Sequence, residues 1–135
     1  MKPVIYTRKS FKPWEQEELP SASRYFPVYN QRTLIPEGSL VVPRYSALPF
    51  YKELEEDVKI LGSNLLNTYN QHNYVADIIN WYGDLEHLTF PTWTLDSYSP
   101  DNIKGPFVLK GRTNSKKDKW NTHMFAKNGT EAIKV

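Results

Sequence analysis

Short apolar runs broken by proline-rich polar stretches fill the first third of the chain, and two amphipathic stretches follow them. Met1-Lys-Pro-Val-Ile-Tyr-Thr7 predicts a first strand with Pro3 at its start, because proline cannot donate to a ladder. Residues 8–23 are polar and hold Pro13 and Pro20, which leaves room for a short helix around Trp14 to Leu19. Tyr25 to Asn30 reads as a strand interrupted by Pro27. Ile35-Pro-Glu-Gly-Ser39 is a turn signal, and Leu40-Val-Val42 reads as a buried strand.

Phe50, Leu54, Val58 and Leu61 recur at helical spacing, with Glu53, Glu55, Glu56 and Asp57 on the wet side. Pro49 suits the first turn of that helix and Gly62 its C-terminal stop. Asn64 to Asn67 predicts a short strand. Tyr74, Val75, Ile78, Ile79 and Tyr82 form a second amphipathic pattern that ends at Gly83. Leu88 to Leu95 predicts a loop leading into a strand. Gly105-Pro-Phe-Val-Leu-Lys-Gly111, Arg112 to Trp120, and Asn121-Thr-His-Met-Phe-Ala126 read as a β-hairpin with a cationic loop at its tip.

Strands alternating with helices predict an α/β fold with a small, partly parallel sheet flanked by helices over residues 1–96. A linker is expected at 97–105, where Pro100 and Gly105 stand. The hairpin and the start of a helix at Thr130 then occupy 106–135. A lone hairpin and a short helix are both marginal in water. Two expectations follow: the chain is the front part of a longer protein, or the hairpin docks on its own body or on a partner.

Composition sharpens this picture in three ways. Aromatics are 14% of the residues, which argues for a packed core and against disorder. There is no cysteine, which excludes a disulfide framework, a thiolate nucleophile and a thiolate metal site. From Lys104 onward eight Lys and Arg face only Asp118 and Glu131, whereas the preceding residues are net acidic. A basic end on an acidic body points to a local anionic partner. With no apolar span and no signal-peptide pattern, a cytoplasmic protein without membrane association is expected.

Several residues are candidates for anion contact. The loop with Arg112, Ser115, Lys116 and Lys117 offers hydroxyl, ammonium and backbone donors suited to phosphate, although Lys and Ser are ordinary at a solvated hairpin tip. Arg8 and Arg44 follow or adjoin predicted strands, where ligands of open α/β sheets bind; ion pairing with the acidic helix is the competing reading. His72, His87 and His123 lack metal-ligand spacing and are expected at the surface or at caps. Asp77 precedes Ile78 and is placed to cap or pair locally. Trp14, Trp81 and Trp93 read as core or rim aromatics.

In chain order, these segments resemble the front of an ATP-grasp protein, and most of all an ATP-grasp-related lineage common in phages and bacteria. Leu65-Leu-Asn67-Thr68 resembles the strand ending in Asn-Ser/Thr before the first helix of that unit. The helix through Asp77 and Ile78, followed by Leu88-Thr-Phe-Pro91-Thr92, resembles its next helix and Pro-x-Thr-type strand. Phe107-Val-Leu-Lys110-Gly111 resembles the strand whose lysine reaches the nucleotide phosphates, and Ser115, Lys116 and Lys117 fall where the phosphate-covering loop lies. Trp120 and Thr122 to Ala126 continue the likeness, which spans most of the chain.

The resemblance implies a pre-ATP-grasp-like domain followed by the start of a nucleotide lobe. Complete members resemble ATP-dependent carboxylate–amine ligases. It implies nucleotide contacts at Lys110, Arg112, Ser115, Lys116 and Lys117, and ATP with magnesium as cofactors, weak or absent in this chain alone. The magnesium-holding residues of the family lie downstream of the matched part, and the helix Asn73 to Trp81 lacks the nucleotide-binding lysine of many relatives. The expectation is an incomplete ATP-grasp-like protein, not catalytic alone. It would bind or modulate a protein partner, as a phage-encoded protein does, or supply one half of a split ligase. A small interaction module with no nucleotide role is the alternative. A nucleic-acid binder using Trp120 and Phe125 beside the basic hairpin is a third reading, which the acidic body disfavours.

Overall fold

The computed structural model describes residues 1–8, 13–44, 48–94, 96–98, 104–113 and 120–134, with backbone alone for 13–16. The chain divides into two compact units, Met1–Asn73 and Tyr74–Val135. The break expected at 97–105 falls inside the second unit.

The first unit is an α/β sheet. Its elements are β1 (Lys2–Thr7), α1 (Pro13–Ala22), β2 (Val28–Tyr29), β3 (Ser39–Arg44), α2 (Leu48–Ile60) and β4 (Asn64–Leu65). The four strands run in the order β2-β1-β3-β4, and every neighbouring pair is parallel. Parallel strands need crossover connections, and α1 and α2 supply two of them. α1 is longer than the sequence predicts and includes Pro20.

Alternation along the strands decides which face each residue serves. Val4 pairs with Val41 and Val41 with Leu65, so these three share one face. With Tyr6 and Ile35 they form the core against Tyr51, Leu54 and Val58 of α2. The sequence expectation placed Phe50 on this stripe. At 3.6 residues per turn Phe50 and Tyr51 flank the Leu54–Val58 line on opposite sides, and the sheet takes the Tyr51 side. Tyr51 is 2% exposed and Phe50 54%. The Tyr51 ring stacks on His72 at 4.0 Å, and its hydroxyl donates to the Asn67 carbonyl at 3.1 Å. His72 is therefore half-buried in packing, not the surface or capping histidine that the sequence suggested.

Local polar contacts set the element ends. Gly62 ends α2 with φ +66°, and Ser63 N–H reaches back to the Val58 carbonyl at 3.0 Å. The buried Ser63 hydroxyl accepts from Ser39 N–H at 3.1 Å and donates to the Pro36 carbonyl at 3.0 Å, sewing the starts of β3 and β4 together. The acidic side of α2 is only partly wet. Arg32 donates to Glu53 and Asp57, while the Glu55 side chain is 13% exposed and accepts from Tyr69 N–H at 3.0 Å.

The boundary between the units lies in α3 (Tyr69–Ala76). Thr68 and Gln71 form a capping box at its start: Gln71 N–H donates to the Thr68 hydroxyl, and the Gln71 amide oxygen accepts from Thr68 N–H at 2.8 Å. The expected single helix through Tyr74 and Tyr82 is instead two. Asp77 interrupts it and caps α4 (Ile78–Leu85), its carboxylate accepting from Ile79 N–H at 3.2 Å.

The second unit continues with a 3-10 turn at Glu86–Leu88. The strand expected after Pro91 is absent from the described residues; Thr94 and Ser97 instead form a hydrogen-bonded turn. β5 (Phe107–Val108) pairs antiparallel with β6 (Phe125–Ala126). The approach to β6 differs from the expected strand, because Trp120–Met124 is a π-helical turn. The Trp93 and Tyr98 rings meet Phe107 edge-on, while Met124 and Ala126 are buried. α5 (Gly129–Lys134) is capped by the Asn128 side chain, which accepts from Glu131 N–H at 3.0 Å. Among the described residues no helix is long and apolar enough to cross a membrane.

Candidate anion sites

Two places in the fold gather the cationic residues that the sequence singles out. One lies at the carboxyl edge of the parallel sheet. The chain moves outward from β1 through α1 to β2, returns across β1 to β3, then moves the other way through α2 to β4. The direction of winding changes between β1 and β3, and ligands of open α/β sheets bind outside the carboxyl ends of strands at such a switch point. Thr7 and Arg44 are register partners at that edge, and Arg8 follows Thr7. Thr7 is buried, and its hydroxyl donates to the Arg8 carbonyl at 3.2 Å. Arg44 takes the alternate face from Val41 and pairs with Glu18 of α1. The expected competitor for Arg44 was the acidic helix α2. That helix binds Arg32 instead, and Glu18 comes from the other crossover.

The other place is the hairpin of the second unit. Leu109 N–H donates to the Met124 carbonyl at 2.8 Å, one position beyond β5. Lys110 is the next residue and is exposed. Arg112 is turned toward α4. Its carbonyl accepts from Ile78 N–H at 3.3 Å, and its Nε lies 3.1 Å from both Asp77 oxygens while Nη2 also donates to the carboxylate. The Asp77 side chain is 6% exposed and that of Arg112 is 63%. The Arg112 guanidinium holds the Asp77 carboxyl below the usual carboxylate range, with the Ile79 hydrogen bond acting in the same direction and desolvation opposing both. The Asp77 carboxylate in turn raises Arg112.

Asp77, Ile78 N–H and Arg112 thus close on one another, and the first turn of α4 has its donors filled. The structure brings Lys110 and Arg112 onto one short segment but aims the Arg112 guanidinium at Asp77. Ser115, Lys116 and Lys117 lie outside the described residues. The cap at Asp77 was readable from an Asp before an apolar run; its partner, 35 positions away, had no sequence signal. The Glu18 partner of Arg44 had no sequence signal either: the short helix that carries it was expected, but its pairing across 26 positions was not.

A fit to magnesium needs converging oxygen ligands. Among the described residues no group of three or more His, Asp or Glu side chains is placed to hold a metal ion. Lys110 is an exposed point charge two residues beyond β5. No protein-family model, curated protein or solved structure matches the chain.

Proposed function

We propose that this chain is an ATP-grasp-like nucleotide-binding protein that acts with a second protein and not as a ligase by itself. What supports the reading is the order of its parts: a parallel α/β sheet, and later a two-stranded hairpin from which Lys110 emerges exposed directly after the last ladder hydrogen bond. In this reading the Lys110 ammonium sits against nucleotide phosphate. Arg112 holds the hairpin to α4 through Asp77 rather than contacting phosphate. Magnesium has no assigned place among the described residues, so no chemical step is written through it.

Calorimetric titration of the purified chain with ATP, with and without magnesium, tests the reading. Saturable binding lost in Lys110→Ala is expected. Absence of binding, or binding unaltered in Lys110→Ala, contradicts it.

One observation favours a second reading, a protein-interaction module. Leu88 is 74% exposed, Phe90 88% and Trp93 41%, a concentration of wet apolar surface within one short segment. In that case Lys110→Ala leaves partner capture unchanged, while Phe90→Ser with Leu88→Ser abolishes it.

A further inference from the structure

Burial alternates along the hairpin, as a two-stranded ribbon with one covered face requires. Met124 and Ala126 are buried, whereas Val108 is 55% exposed and Lys110 and Lys127 are exposed. Val108 pairs with half-buried Phe125, so these two share the outer face with Lys110 and Lys127 beside them. Trp120 opens the π-helical turn that leads into β6 and is 44% exposed. We propose that this outer face binds single-stranded nucleic acid, with bases stacked on Phe125 and Trp120 and backbone phosphates against Lys110 and Lys127.

The rings and the charges point the same way. Phe107, on the covered face, is held edge-on by Trp93 and Tyr98. Phe125 and Trp120 have no ring partner among the described residues, which leaves them to a ligand. Neither the Lys110 nor the Lys127 ammonium is in an ion pair there. Glu131 is the one acidic side chain among the described residues of 104–134, and it accepts from Lys127 N–H at 2.8 Å. The acidity that weighs against nucleic acid in the sequence is therefore not on this face. Aromatic rings flanked by cations suit a single strand, because every base offers a π-face and the phosphates follow the positive charge. A duplex hides its base faces, and an acidic peptide would use the lysines but not the rings. The proposal shares only Lys110 with the nucleotide reading and stands on Phe125, Trp120 and Lys127 besides.

The test is fluorescence anisotropy of a labelled oligothymidylate titrated with the full chain over a series of salt concentrations. A duplex of the same length and an oligoglutamate are titrated in parallel. Saturable binding is expected for oligothymidylate, with weaker binding of the other two. Lys110→Gln combined with Lys127→Gln makes the dependence of log affinity on log salt shallower by about 1.4, the equivalent of two single-strand phosphates. Trp120→Leu and Phe125→Leu each weaken binding about five-fold or more, the loss of one stacked base. If Phe125→Leu loses amide dispersion in its 15N spectrum, Trp120→Leu and the lysine pair decide. No saturable binding, equal affinity for duplex or oligoglutamate, an unchanged salt slope in the lysine variant, or unchanged affinity in Trp120→Leu overturns the proposal. The nucleotide reading falls only on its own ATP titration, so failure of one is told apart from failure of the other.

Discussion

Replacing Phe50 and Tyr51 one at a time by alanine tests how α2 meets the sheet. Both residues flank the Leu54–Val58 line, yet Tyr51 is 2% exposed and Phe50 54%. Truncating a fully buried aromatic ring costs about 3–5 kcal/mol, through lost transfer energy and the cavity left behind. Tyr51→Ala also strips the Asn67 carbonyl of its partner and His72 of its stacked neighbour, which places the expected cost toward the upper part of that range. Phe50 has about half its surface in water, so its burial is worth about 1 kcal/mol. Alanine is the better helix former by about 0.5 kcal/mol, which leaves a net cost near ~0.5 kcal/mol. Domains of this kind are stable by only about 5–15 kcal/mol, so Tyr51→Ala endangers the unit while Phe50→Ala does not. The assay is amide hydrogen exchange of the β1 and β3 residues, which reports opening of the first unit separately from the second. Equal costs for the two substitutions, or a larger cost for Phe50→Ala, would refute the observed phase of the helix.

Two further outcomes concern the second unit. A methyl group at Gly105 would meet the Lys127 carbonyl at 2.7 Å and the Phe107 ring at 2.8 Å, and backbone at that distance cannot step aside. Gly105→Ala is expected to cost about 1–3 kcal/mol, read as faster exchange of the β5 and β6 amides, and unchanged exchange would count against the close approach. The Asp77–Arg112 pair predicts an acid-sensitive hairpin. Arg112 depresses the folded-state pKa of Asp77, so the pair's contribution is complete above the ordinary carboxylate range. It is lost as pH falls through that range toward the lower folded value. Protection of the Ile78 and Ile79 amides, taken relative to the intrinsic exchange rate at each pH, should therefore fall in acid, and Asp77→Asn should start loose and lose that pH dependence. A wild-type protein whose protection at these amides, relative to the intrinsic rate, stays constant across that window would rule the pair out as an anchor.

The parallel α/β architecture was legible because each of its signals is local. Val4-Ile-Tyr6 and Leu40-Val-Val42 read as strands from their apolar runs, and Gly62 marked the end of α2 by the positive φ it adopts. Asp77 was legible as a cap for the same reason. Features set by distant partners were not. Whether Phe50 or Tyr51 faces the sheet depends on which flank of the helix the strands meet, and spacing alone does not distinguish them. Glu55 looked like a wet charge, but Tyr69 N–H gives it a partner in the folded chain. The segment after Pro91 has strand-like residues and no adjacent strand to pair with among the described ones, so it turns at Thr94 and Ser97 instead. The candidate site followed the same division. Lys110 stands exposed two residues beyond β5, whereas Arg112 went to a carboxylate far off in sequence.

The most direct test of the nucleotide reading is to follow the backbone amides from Phe107 to Arg112 in the 15N-labelled chain as ATP is added. The account predicts saturable shifts centred on Lys110 that vanish in Lys110→Gln while the Asp77–Arg112 contact persists. Shifts that are absent, that fall elsewhere, or that survive Lys110→Gln would contradict it.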